Sequence, residues 1–100
     1  MTKIPKSFNV GGQPIEVRMV DRCDGNKAGC ALLEAGYIEI ADKFNKDCKQ
    51  SEGSKINTFY HELVHSILGT MAEEDLNYNE KFVSAFSSFL CEAMTTAKYD

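Results

Sequence analysis

KINTFYHELVHSILGTM, residues 55–71, carries the pattern that organises the rest of the chain. Ile56, Phe59, Tyr60, Leu63, Val64, Ile67, Leu68 and Met71 recur at offsets of three and four. That spacing predicts an amphipathic helix with one face against a core. Ser51 or Ser54 in the polar stretch before it can cap its amino terminus. Gly69 and the polar run 72–79 are expected to end it. A second helix is expected from Asn77 or Asn79 onward, carrying Phe82, Val83, Phe86, Phe89, Leu90, Ala93, Met94 and Ala97.

Upstream of residue 50 the period changes to two. Residues 6–10 run into Gly11-Gly12, a hairpin signal, and Ile15, Val17 and Met19 then alternate with Glu16, Arg18 and Val20. Residues 21–29 read as a polar loop, and 30–34 and 37–41 flank a tight turn at Ala35-Gly36. The expectation is an α+β domain spanning 1–100. It has a small three- to four-stranded, mainly antiparallel sheet with one wet face, followed by two helices. No internal repeat or linker interrupts it.

Composition limits the function classes. The chain has 100 residues, 43% apolar and 26% charged, with 7 Gly and 2 Pro, which is the balance of a globular domain. Net charge is −4, and the densest basic stretch, 43–49, is broken by Asp47. Binding to a nucleic-acid backbone needs clustered cations and is not expected. No window approaches the apolar length of a membrane span, and residues 1–10 lack the apolar run of a signal peptide, so a cytoplasmic protein is expected. Cys23, Cys30, Cys48 and Cys91 are then expected to be reduced, partly buried thiols. The spacing of Cys23 and Cys30 does not match a structural zinc knuckle.

Within the first helix stands His61-Glu62-Leu63-Val64-His65, an HExxH motif. Residues four apart on a helix share a face with Cβ atoms about 5–6 Å apart, so both imidazoles can converge on one ion. Zinc accepts neutral imidazole nitrogen at about 2.0–2.1 Å. Glu62, rotated by about 100° from His61, can stand beside the ion without binding it and act as general base on a water that zinc activates. The chain has only two histidines, and both fall here. Random placement would give the full pattern roughly two times in a thousand.

Two histidines leave the protein shell incomplete, because a catalytic zinc usually has three protein ligands. With no third histidine, the remaining ligand is a carboxylate or a cysteine. Glu73, Glu74 and Asp75 fall in the polar turn, Cys91 and Glu92 lie deep in the second helix, and Glu80 sits in that helix's first turn. Spacing alone leaves the choice open.

The motif His61-Glu62-Leu63-Val64-His65, followed by Asn79-Glu80-Lys81-Phe82-Val83-Ser84-Ala85-Phe86, resembles the gluzincin pattern. In that clan HExxH is completed by a glutamate on the next helix, within an NExxxD-type motif. The chain more closely resembles small phage- and prophage-encoded metallopeptidases related to the ImmA/IrrE group, over residues 4–98. The resemblance implies a minimal zincin-like fold and a zinc-dependent endopeptidase acting on a protein or peptide. It makes Glu80 the third ligand and places Ser84 where the family has the acidic partner of a ligand histidine. It also implies substrate bound as an added strand at a sheet edge, for which residues 37–40 are the candidate. Tyr60, Tyr78 and Tyr99 are candidates for stabilising the transition state. Iron, cobalt or manganese suits the same ligands. The alternative is a zinc-containing binding or regulatory module of a phage or prophage, working with a protein partner and with little turnover.

Overall fold

The computed structural model describes residues 4–100. Residues 1–3, part of the amino-terminal stretch read above for a signal peptide, lie outside the described residues. Gly11 and Gly12 adopt positive φ, 58° and 80°, and join β1 (Ser7–Val10) to β2 (Gln13–Val20) as an antiparallel hairpin with Val10 opposite Gln13. Two successive positive φ values give the turn whose twist matches paired strands, and only glycine adopts them without strain.

Next come a 3-10 turn at Asp24–Asn26, β3 (Gly29–Leu32), a second turn at Leu33–Ala35 and β4 (Tyr37–Ala41). The strand order is β1-β2-β4-β3, with β2 and β4 parallel, Val17 opposite Ile38. Two of the three pairings are antiparallel, and the parallel pair, which the sequence reading did not foresee, makes the sheet mixed. The cause is the loop 21–28, which carries the chain past the end of β4's position, so that β4 returns between β2 and β3. Ala41 N–H donates to the Ala28 carbonyl (2.9 Å) and Asp42 N–H to the Val20 carbonyl (2.8 Å), tying that end together. This strand order corrects one expectation. Residues 37–40, expected as an edge platform, lie inside the sheet with both sides paired, and the edge strands are β3 on that side and β1 on the other.

Residues 43–49, the densest basic stretch, form a short hairpin of β5 (Lys43–Phe44) and β6 (Cys48–Lys49). The Arg22 guanidinium pins its tip, donating to the Lys46 carbonyl and to Asp47 (2.7 Å).

The first helix, α1 (Glu52–Thr70), starts at Ser51, whose hydroxyl accepts from Ser54 N–H (3.1 Å). It runs through Gly69 and ends in a paired closure: Glu73 N–H reaches the Leu68 carbonyl, and Ala72 N–H the Gly69 carbonyl. That is the Schellman arrangement, which needs a left-handed residue just past the helix; Ala72 fills it at φ 59°. The run 72–79 contains a short helix, α2 (Glu74–Tyr78), before α3 (Glu80–Thr96), so three helices replace the expected two. Asn79 caps α3, its side chain accepting from Phe82 N–H (3.1 Å).

α1 lies between the sheet and α3. One cluster joins Ile15, Ile38, Ile40 and Phe59; the other joins Val64 and Leu68 of α1 to Val83 of α3. Full burial of each such side chain stabilises the fold by about 1.5–3 kcal/mol. Gln50, just before the helix, is 4% exposed and links the layers. Its amide nitrogen donates to the carbonyls of Ala28 (3.0 Å) and Ala41 (2.7 Å), and its oxygen accepts from the hydroxyls of Ser54 (2.7 Å) and Thr58 (2.9 Å). Among the described residues no helix is long and apolar enough to cross a membrane.

Candidate metal centre

His61, Glu62 and His65 lie in the middle of α1, and Glu80 opens α3. The packing of Val64 and Leu68 on Val83 brings the two helices together. Glu80 thereby sets one carboxylate oxygen 3.3 Å from His61 Nε2 and the other 3.1 Å from His65 Nε2. The three ligand atoms lie within 4.8 Å of one another, the one such His/Cys/Asp/Glu group among the described residues. A tetrahedral zinc with bonds of about 2.0–2.1 Å separates its ligand atoms by roughly 3.3 Å. The two His–Glu distances, each to a different carboxylate oxygen, lie near that figure, so the donor set could hold a metal ion.

The protonation states also fit. Burial, and then the neighbouring His65, hold the His61 imidazole below its ordinary pKa against the opposing pull of Glu80. The neutral ring is the form that ligates. His65 Nδ1 stands 2.6 Å from Asn77 Oδ1. An amide oxygen only accepts, so Nδ1 is the donor at that contact, the arrangement that would leave Nε2 to a metal ion.

Glu62 is 7% exposed and lies against β3. Burial pushes its carboxyl up to about 7; the charge on Glu80 adds to this, while His65 and Lys27 oppose it. A carboxyl poised near neutrality takes and returns a proton readily. A divalent cation held beside it would draw its pKa back down. Its position depends on Gly29: a Cβ there would stand 2.5 Å from Thr58 Cγ2 and 3.1 Å from Glu62 Cγ. Glycine therefore lets the edge strand lie directly on the helix at the site.

These residues form one wall of a cleft of about 690 Å³, with β3 as another wall and Lys27, Asn57, Asn77 and Tyr78 around it. Cys30 also lines it. Burial raises the Cys30 thiol and pushes Cys23 up to about 11. Both therefore stay protonated near neutral pH, unlike a metal-bound thiolate. None of the four cysteines forms a disulfide.

The structure thus brings His61, His65, Glu80 and Glu62 together. It does not bring Ser84 to a histidine: Ser84 is exposed on α3, and its carbonyl accepts from the Ser87 hydroxyl (3.3 Å). Asn77 of α2 takes the role expected of Ser84, because α2 folds back over His65. Tyr60 is turned into the core, edge-on to Phe59 at 5.1 Å, and lies outside the cleft lining. Tyr78 lines the cleft and is 84% exposed, and Tyr99 is exposed outside it. Sequence reasoning missed Asn77, Gln50, Gly29 and Lys27. The only signal for Asn77 was an amide twelve residues after His65 in a polar turn, which is no pattern at all. No protein-family model, no curated protein and no solved structure matches this chain.

Proposed function

We propose that this chain is a zinc-dependent endopeptidase with a minimal zincin-like domain of the gluzincin kind. The observation that carries the reading is the convergence of His61 Nε2, His65 Nε2 and the Glu80 carboxylate beside the buried carboxyl of Glu62, on the wall of an open cleft. His61, His65 and Glu80 would hold the ion. Zinc supplies Lewis-acid polarisation of a carbonyl and a lowered pKa for water.

The chain's own residues do the rest. Glu62 takes a proton from the attacking water as its oxygen adds to the peptide carbonyl carbon. It then gives that proton to the amine nitrogen as the C–N bond breaks. Asn77 keeps His65 in the ligating tautomer. Tyr78, the one phenol that lines the cleft, is the candidate for stabilising a developing oxyanion. The free edge of β3 offers backbone N–H and C=O groups to an extended peptide, in place of residues 37–40.

Two variants test this. Purified protein is expected to hold close to one zinc per chain, and His65→Ala close to none. Glu62→Gln is expected to hold as much zinc as wild type while cleavage of a peptide library falls by roughly 10²–10⁴-fold. Equal behaviour of Glu62→Gln and wild type toward the library would overturn the enzyme reading and leave a zinc-containing binding module.

A further inference from the structure

The outer face of α3 is built for contact. At 100° per residue, Val83 and Ser87 turn inward and are fully buried, while Phe82, Phe86, Phe89 and Ala93 fall on one stripe turned away from them. Phe82 anchors the inner border of the stripe against the Val64–Leu68–Val83 cluster. The Phe82 and Phe86 rings stack at 5.7 Å and 13°, and Phe86 and Phe89 are 50% and 72% exposed. Three aromatic rings along one side of a helix form a patch that soluble surfaces rarely leave bare.

The outer border of the same stripe carries two charges, Lys81 and Glu92, both exposed. Eleven residues separate them, which sets them about 20° apart around the helix and about 16 Å apart along it. They are therefore too distant to pair within one chain, and neither enters the ion pairs of the described residues. Their midpoint along the helix falls between residues 86 and 87. The midpoint of Phe86 and Phe89, and that of Phe82 and Ala93, falls between 87 and 88. The charge pattern and the apolar pattern therefore share nearly one centre.

We propose that this face binds a second copy of the chain, α3 against α3 in antiparallel orientation, about a two-fold axis near residue 87. In an antiparallel helix pair, equivalent borders face each other. Lys81 of one copy then meets Glu92 of the other, and the same pair forms again across the axis. Phe86 packs on Phe89 of the second copy, and Phe82 on Ala93. Glu80 points to the opposite side of α3 from the stripe, so both clefts stay open. A contact along one 17-residue helix is small for a protein interface, which places the dissociation constant in the range of roughly 1–100 μM.

Sedimentation of the whole chain from about 1 to about 500 μM tests this, a range set to bracket that constant. The weight-average mass is expected to rise from 11.2 kDa toward twice that value. Phe89→Glu, at a position already exposed, is expected to raise the dissociation constant at least about tenfold with an unchanged circular dichroism spectrum. Lys81→Glu is expected to weaken the dimer, and combining it with Glu92→Lys to restore it. A mass that stays at 11.2 kDa throughout overturns the proposal in favour of a different protein as occupant of the face. So does a Phe89→Glu dimer as strong as wild type, or a double charge swap no tighter than the single one.

Discussion

Residues 50–70 and residues 71–80 each supply half of the metal centre, and they are built differently. The first segment is a long helix with buried Phe59, Val64 and Leu68, tied to the sheet through Gln50. Every polar atom of the Gln50 side chain is used, and no buried side-chain nitrogen or oxygen among the described residues lacks a partner. The second segment turns on Ala72 at positive φ, runs through a five-residue helix with no buried residue, and delivers Asn77 and Glu80. The first places His61, Glu62 and His65 by packing. The second brings the third candidate ligand on a connector with little core of its own, so a bound ion would contribute a larger share of its order.

Gln50→Ala strikes the packed half and should have the largest effect. It takes one partner from the buried Ala41 carbonyl and from the Ser54 and Thr58 hydroxyls, and one of two from the half-buried Ala28 carbonyl, at a cost of about 2–4 kcal/mol. A fall in Tm of roughly 10–20 °C, by calorimetry on the metal-free chain, is the expected result. A loss of only a few degrees would mean that the two segments are equally soft.

Glu62→Gln should act with the opposite sign. The Glu62 carboxyl is raised in the fold, so its protonated form is favoured there. The contribution of this one group to the stability of the metal-free protein is therefore largest below the unfolded carboxyl pKa of about 4.3. It is lost as pH rises from there through about 7. Glu62→Gln removes that loss, and its advantage over wild type should grow to roughly 2–3 kcal/mol by pH 8. Denaturant melts at pH 5 and pH 8 measure it; parallel pH curves for the two proteins would refute it.

The connector half should respond through metal affinity rather than fold. Asn77→Ala frees the His65 ring and is expected to weaken zinc binding about 10–100-fold, with the metal-free Tm moving by no more than a few degrees. Competition with a chelator of known affinity reads the first, a thermal melt the second. The smallest effect is expected of Ala72→Gly, which relieves a left-handed alanine and should stabilise the chain by about 1 kcal/mol. Urea midpoints would show it, and a destabilised variant would show that Ala72 is not strained.

The same contrast explains what the amino-acid sequence reveals. Local patterning locates α1, β2 and the Gly11-Gly12 turn, and narrows the α1 cap to Ser51 or Ser54 and the start of α3 to Asn77 or Asn79, of which the structure uses Ser51 and Asn79. His61 and His65 are legible because their relation is confined to one helix. Strand order is not, because alternation tells which face of a strand is buried and nothing about its neighbours. A central strand such as 37–41 and an edge strand read alike. Ser84 shares the face of Glu80 one turn on, yet the partner of His65 comes from α2, whose placement follows from the turn at Ala72. Tyr60 is adjacent to His61 in sequence, and 100° of helix rotation carries it into the core. Gln50 has no periodic signature; only the meeting of the ends of β3 and β4 with α1 gives it a role.

The position of β3 has a consequence for how the chain behaves in a crowded solution. Gly-Cys-Ala-Leu contains no charge, and one side of this strand carries backbone donors and acceptors that no other strand of the sheet uses. Such an edge recruits any extended chain, including unfolded copies of the same protein, as the first step of aggregation. Two features limit that. The strand is only four residues long, too short to template a stable cross-strand stack alone. Lys27, just before it, is a charge of the kind that blunts strand edges. A longer or more apolar β3 would open the same surface to fibrous assembly, which sets an upper limit on how far this edge can be extended or greased.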